Sequence, residues 1–105
     1  MLIIRAVQGQ KININKDTLT LDLVDNEFGL VDISITKNGK DREYVLQLNE
    51  PVQIYDDVII TLTHVMQGRE AVATLGFDAP LSVKIKGQWV TERPTTAGPR
   101  ANRGA

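Results

Sequence analysis

The chain of 105 residues contains no cysteine and a single histidine, His64. Without thiols there is no disulfide, no thiolate nucleophile and none of the common zinc sites, and one imidazole cannot build a histidine cluster for a transition metal. No apolar run approaches the roughly 20 residues that a bilayer-spanning helix requires. The apolar opening, Met1 to Ile4, is too short for the core of a signal peptide. No membrane association is expected, and the expected location is the cytoplasm. Charge of one sign is also lacking: 12 basic side chains stand against 13 acidic ones, for a net charge of −1. A strongly electrostatic nucleic-acid binder is normally basic as a domain.

That total conceals an asymmetry. Residues 1–80 carry 7 basic and 12 acidic side chains, whereas residues 81–105 carry 5 and 1. The positive charge is collected at one end.

Helical periodicity is nearly absent, and alternation of apolar and polar residues recurs along the chain, the pattern of strands buried on one face. Ile12 and Ile14 flank Asn13; Leu19, Leu21 and Leu23 alternate with Thr20 and Asp22; Val31, Ile33 and Ile35 with Asp32 and Ser34; Tyr44, Leu46 and Leu48 with Val45 and Gln47. The rhythm continues through Val52 and Ile54, then Val58, Ile60 and Leu62, then Ala73, Leu75 and Phe77, then Val83 and Ile85. Short turn signals separate these runs, among them Asn38 to Lys40 and Asp56-Asp57. They leave no room for crossover helices, so an all-β chain with antiparallel sheets is expected.

The runs also repeat in order. Ile12-x-Ile14, Leu19-x-Leu21-x-Leu23 and Val31-x-Ile33-x-Ile35 are matched by Val52-x-Ile54, Val58-x-Ile60-x-Leu62 and Ala73-x-Leu75-x-Phe77. This predicts two β units, residues 1–43 and 44–90, each of a size that buries a core poorly alone. From Thr91 onward the apolar rhythm stops, and residues 91–105 read as a flexible basic tail carrying Arg93, Arg100 and Arg103.

No constellation supports catalysis. Asp56-Asp57 is the only adjacent carboxylate pair and reads as a hydrophilic turn, while His64 has no Ser, Cys or second His nearby in sequence. No enzyme activity, metal or cofactor is expected. Lys84 and Lys86 alternate with Val83 and Ile85, so both ammonium groups should leave one outer face, with Trp89 shortly after. Two cations beside an indole suit phosphate contact and base stacking; a solvated strand face with a Trp capping the core is the plainer reading. Arg5, Gln8 and Gln10 offer donors near the first strand, and Arg42 with Tyr44 offers a corresponding pair in the middle of the chain.

The stretch Asn49 to Thr63, with its Ile54-x-Asp56-Asp57-Val58 turn, and the stretch Gly76 to Lys86, with its Ala79-Pro80 turn and Val83-x-Ile85 strand, resemble the carbon storage regulator family of RNA-binding translational regulators. Met1-Leu-Ile-Ile4, Gly9 and Ile12-x-Ile14 resemble the opening of the same family. Its members are five-stranded units that interlace as a homodimer, bind GGA-containing hairpin loops around ribosome-binding sites, and so block translation. The resemblance implies a small antiparallel β-sandwich or barrel-like pseudo-dimer, a single chain of two interlaced units acting as a monomer. Ala6 and Val7 stand where the family carries an Arg pair, and Gly87 where it carries a further Arg. The RNA-contacting set expected here is therefore Arg5, Arg42, Lys84, Lys86 and Trp89. The alternative is a protein-interaction module of the same shape that has lost RNA binding and acts on a host regulator or an assembly component.

Overall fold

The computed structural model describes residues 1–66, 69–87 and 89–92, the last four as a strand backbone. Every regular element among them is a strand: β1 (Leu2–Val7), β2 (Lys11–Ile14), β3 (Asp17–Asp25), β4 (Leu30–Lys37), β5 (Lys40–Gln47), β6 (Pro51–Tyr55), β7 (Val58–Met66), β8 (Val72–Asp78), β9 (Ile85–Lys86) and β10 (Trp89–Glu92). They form two five-stranded antiparallel sheets, ordered β10-β1-β8-β7-β6 and β5-β4-β3-β2-β9. No helix among the described residues is long and apolar enough to cross a membrane.

Hairpin chemistry sets the local connections. Lys37 pairs with Lys40 across Asn38-Gly39, and both loop residues have positive φ, 53° and 77°. That is the Asn-Gly loop whose twist matches the flanking strands. Alternation then sends one face of each strand inward. Leu19, Leu21, Ile33, Leu46, Ile60, Leu62, Leu75 and Phe77 are essentially inaccessible, and the two sheets share this one apolar core. Its burial is the main favourable term in folding.

The two sheets also share a strand plan. β1 completes a sheet with β8, β7 and β6, and β5 completes the other with β4, β3 and β2. β1 is thus far in sequence from the strands it joins, whereas β5 follows β4 directly through the Asn38-Gly39 hairpin. The additions differ. β9 pairs with β2, matching Asn13 to Lys86 and Ile14 to Ile85, whereas β10 pairs with β1 at the opposite end of its sheet.

Three details depart from the alternation read along the chain. Leu23, expected inward, is 43% exposed, and Val24 is buried in its place. The β3–β4 register shifts between Leu21 and Leu23, and such a bulge exchanges the two faces. Leu48 lies beyond the end of β5 and is also largely exposed. At the end of the described chain, β10 includes Thr91 and Glu92, two residues assigned above to the tail; residues 93–105 lie outside the described residues. β5 runs without interruption across the 43/44 division between the two expected units.

Candidate nucleic-acid interface

The turn between β2 and β3 organises a basic surface. Asn15 occupies it with φ 53°, a left-handed conformation that Asn tolerates better than most residues. Its backbone N–H donates to the Lys84 carbonyl at 2.7 Å, and its Oδ1 accepts from the Lys84 N–H at 2.8 Å. This double clasp holds the segment entering β9 against the edge of β2. With Val83 and Ile85 packed against the core, Lys84 and Lys86 are carried outward on the same side of the strand, as the sequence predicted.

Lys84 and Lys86 open onto a cleft of about 1000 Å3 whose walls also include Asn13, Lys16, Lys37 and Tyr55. A second cleft, of about 390 Å3, adjoins it and is lined by Lys37, Lys40, Arg42, Tyr44 and Tyr55. The two share Lys37 and Tyr55. Between them the two clefts are lined by six cations, and their carboxylates are those of Asp17 and Asp57.

Asp17 is already engaged, because the Tyr55 hydroxyl donates a short hydrogen bond to its Oδ2. Burial, reinforced by that carboxylate, raises the Tyr55 pKa well above the ordinary tyrosine value, so the phenol stays protonated as a donor. Lys37 Nζ lies 5.8 Å from the centre of the Tyr55 ring, within cation–π range. Tyr55 is thus held from two sides at the junction of the clefts. Asp22, Asp32, Asp41 and Glu43 line a third hollow, which shares Tyr44 with the smaller cleft. Among the described residues no three His, Asp or Glu side chains are arranged to hold a metal ion.

The residues singled out in the sequence fall in three places. Lys84 and Lys86 line the larger cleft, and Arg42 the smaller one. Arg5 is exposed on β1, outside both clefts, where its register partners are Thr74 and Trp89. β10 therefore sets the backbone of Trp89 beside Arg5, while the Trp89 side chain lies outside the described residues. Trp89 follows Lys86 by three residues, so its Cα lies within about 10 Å of that of Lys86.

Gln8 and Gln10 are tied to the backbone. Gln8 Oε1 accepts from the Val24 N–H at 3.1 Å and Gln10 Oε1 from the Val7 N–H at 2.9 Å, bracing the turn after β1. Tyr44 packs against the core and still forms part of the smaller cleft.

Lys16, Lys37 and Tyr55 were absent from the sequence-derived set. No spacing links them to Lys84, since only the pairing of β9 with β2 and the packing of two sheets bring the four together. The Asn15-Lys16-Asp17 run is a local turn signal, and it names no partner. Comparison of the chain with protein-family models, with curated proteins and with solved structures gives no match.

Proposed function

We propose that this chain is a non-catalytic RNA-binding regulator of translation, a tandem carbon-storage-regulator-like protein that acts in the cytoplasm by occupying single-stranded loops at ribosome-binding sites. The observation that carries the reading is the pair of adjoining clefts joined at Lys37 and Tyr55 and lined by six cations. Affinity for RNA comes largely from phosphate neutralisation, and local positive charge suffices for it even when the whole chain is slightly acidic. Lysines act as point charges on phosphates, Arg42 adds a planar fork, and the part-buried Tyr55 and Tyr44 supply rings on which a splayed base can stack.

A loop or single strand suits this surface better than a duplex. The clefts are concave, and unpaired nucleotides can present phosphates and bases to opposite walls. What supports the tandem reading is that β1 joins the sheet of β6, β7 and β8 while β9 joins that of β2 to β5, so strands from the two ends of the chain cross between the sheets. Arg5 and Trp89 extend the contact along β1 and β10. The GGA preference follows the family resemblance, with Arg42, Lys84 and Lys86 taking the part of the missing arginines.

A gel-shift titration with a library of GGA hairpins tests the reading. The expected result is retention of GGA hairpins over scrambled hairpins at moderate salt. Equal or absent binding, together with recovery of a protein partner after nuclease treatment, selects the protein-interaction module instead.

A further inference from the structure

We propose that the outer face of β3, β4 and β5 is a docking surface for a basic amphipathic helix of a partner protein. None of its side chains is among those assigned to RNA.

Strand pairing decides which residues share this face. β4 lies between β3 and β5, with Leu23, Asp32 and Val45 in one row and Asp25, Leu30 and Gln47 in the next. Val31 and Leu46, which alternate with them, are buried in the core. Leu30 is therefore the diagonal neighbour of both Leu23 and Val45, within reach of each across the ladder. Leu23 is 43% and Val45 55% exposed, so with the half-buried Leu30 they place an aliphatic patch where an open sheet face normally carries polar residues. The bulge in β3 is what turns Leu23 to this side.

Phe28 stands at the end of the patch, in the turn two residues before Leu30, and is 71% exposed. Asp25 braces that turn, its Oδ1 accepting from the N–H groups of Glu27 and Phe28 at 2.9 and 3.2 Å. A large exposed side chain on a braced turn enters an interface with little ordering left to do. Alternation along β5 then sorts charge between its two faces. Lys40 and Arg42, opposite Lys37 and Ile35, line the smaller cleft, whereas Asp41 and Glu43, opposite Thr36 and Ser34, fall on the side of the patch. With Asp22 and Asp32 they line the third hollow, of about 410 Å3, and no cation lines it. Lys11, in the same ladder row as Glu43, is three strands and about 14 Å away.

These features select the occupant. β4 is already paired on both sides, so a segment laid over the face gains no ladder and must satisfy its own backbone groups, as a helix does. An apolar stripe on that helix covers Leu23, Leu30 and Val45, and cations beside the stripe meet the carboxylates of the hollow. Other occupants match less. RNA phosphates are repelled by the same carboxylates. Two copies joined by this face would set their carboxylates against each other. The chain's own residues 93–105 carry three arginines but no apolar side chain larger than proline, so they match the charge and leave the patch uncovered.

Three synthetic peptides test this with the full, isotope-labelled chain, and backbone amide shifts are the readout. The first is two repeats of Leu-Lys-Lys-Leu-Leu-Lys-Leu, the second has the same residues in an order without an amphipathic face, and the third has Glu in place of Lys. The expected result is saturable shifts at Leu23, Phe28, Leu30 and Val45 with the first peptide, which binds at least about tenfold more tightly than the other two. Leu23→Ser combined with Val45→Thr, both at exposed positions, should weaken binding by at least about tenfold, and so should Phe28→Ala alone. Thermal denaturation should leave both variants near wild type. Asp41→Lys combined with Glu43→Lys should turn the preference toward the Glu peptide. Equal binding of the first two peptides reduces the effect to charge attraction and overturns the proposal, as does undiminished binding in both apolar variants. A gain of more than about tenfold on Arg100→Glu with Arg103→Glu gives the face to the chain's own tail. Shifts at Leu23, Phe28 and Leu30 with a GGA hairpin alone give it to RNA. Either result overturns the proposal.

Discussion

Asn15 and Lys84, 69 positions apart, grip one another through two hydrogen bonds of 2.7 and 2.8 Å, one from each backbone N–H. One acceptor is a backbone carbonyl and the other is the Asn15 side chain, so the clasp depends on the identity of residue 15. Asn15→Ala loses that acceptor and places a Cβ-bearing residue with no polar side chain at φ 53°; the two effects together should cost about 2 kcal/mol. Asn15→Gly relieves the backbone and should cost only about 1 kcal/mol, while Asn15→Asp keeps an acceptor and should stay near wild type. Urea denaturation ranks the three. On the functional reading, RNA affinity should fall more for Asn15→Ala than for Asn15→Gly, because Lys84 and Lys86 lose their fixed position, and should fall for Asn15→Asp too, which adds a carboxylate to the cleft.

Tyr55 gives a pH signature. Its folded pKa is raised by burial and by Asp17, above an unfolded value of 10.0. A raised pKa means that the native state holds the proton more tightly than the unfolded state does. The resulting stability is complete below about pH 10 and is lost as pH rises from there through the folded value. Tyr55→Phe should therefore flatten the decline in stability above pH 10. It should also abolish the late phenolate step in an ultraviolet titration. A Tyr55 phenolate that appears at the ordinary tyrosine pKa contradicts the assignment.

Phosphate contacts are counted by salt. For single-stranded nucleic acid each neutralised phosphate contributes about 0.7 to the slope of log affinity against log salt. Lys84→Ala with Lys86→Ala should reduce that slope by about 1.4 if each lysine meets one phosphate. Arg5→Ala, outside both clefts, should change it by less. Fluorescence anisotropy across a salt series provides the numbers, and an unchanged slope in the lysine double variant removes β9 from the interface.

Much of the fold was legible because strand alternation is a local property. Ile12 and Ile14, Leu19 and Leu21, and Val31, Ile33 and Ile35 point inward as their spacing indicates. Leu23 did not follow, because a bulge is set by the pairing of two strands and leaves no sign in the alternation of one. The site was legible only in part for the same reason. Lys84 and Lys86 share a face by period alone, but Lys16, Lys37 and Tyr55 join them through sheet order and sheet packing. Local pattern predicts faces; it does not predict which faces meet.

Gly87 shows a constraint of that non-local kind. A Cβ built there would lie 2.8 Å from Cγ2 and 3.1 Å from Cδ1 of Ile4, which is fully buried. Gly87→Arg, which would place a guanidinium where the carbon storage regulator family has one, should therefore destabilise the chain by about 1–3 kcal/mol, as overpacking does. Thermal denaturation measures the effect. A Gly87→Arg protein as stable as wild type would mean that Ile4 and the segment after β9 are less tightly apposed than described.

The central claim is that RNA lies in the two clefts joined at Lys37 and Tyr55. It is tested most directly by titrating an isotope-labelled chain with a GGA hairpin and following every backbone amide by NMR. The account predicts saturable shifts concentrated at Lys16, Lys37, Tyr55, Lys84 and Lys86, extending to Arg42, and much weaker ones with a scrambled hairpin. Shifts that are absent from these residues, or identical for the two RNAs, contradict it.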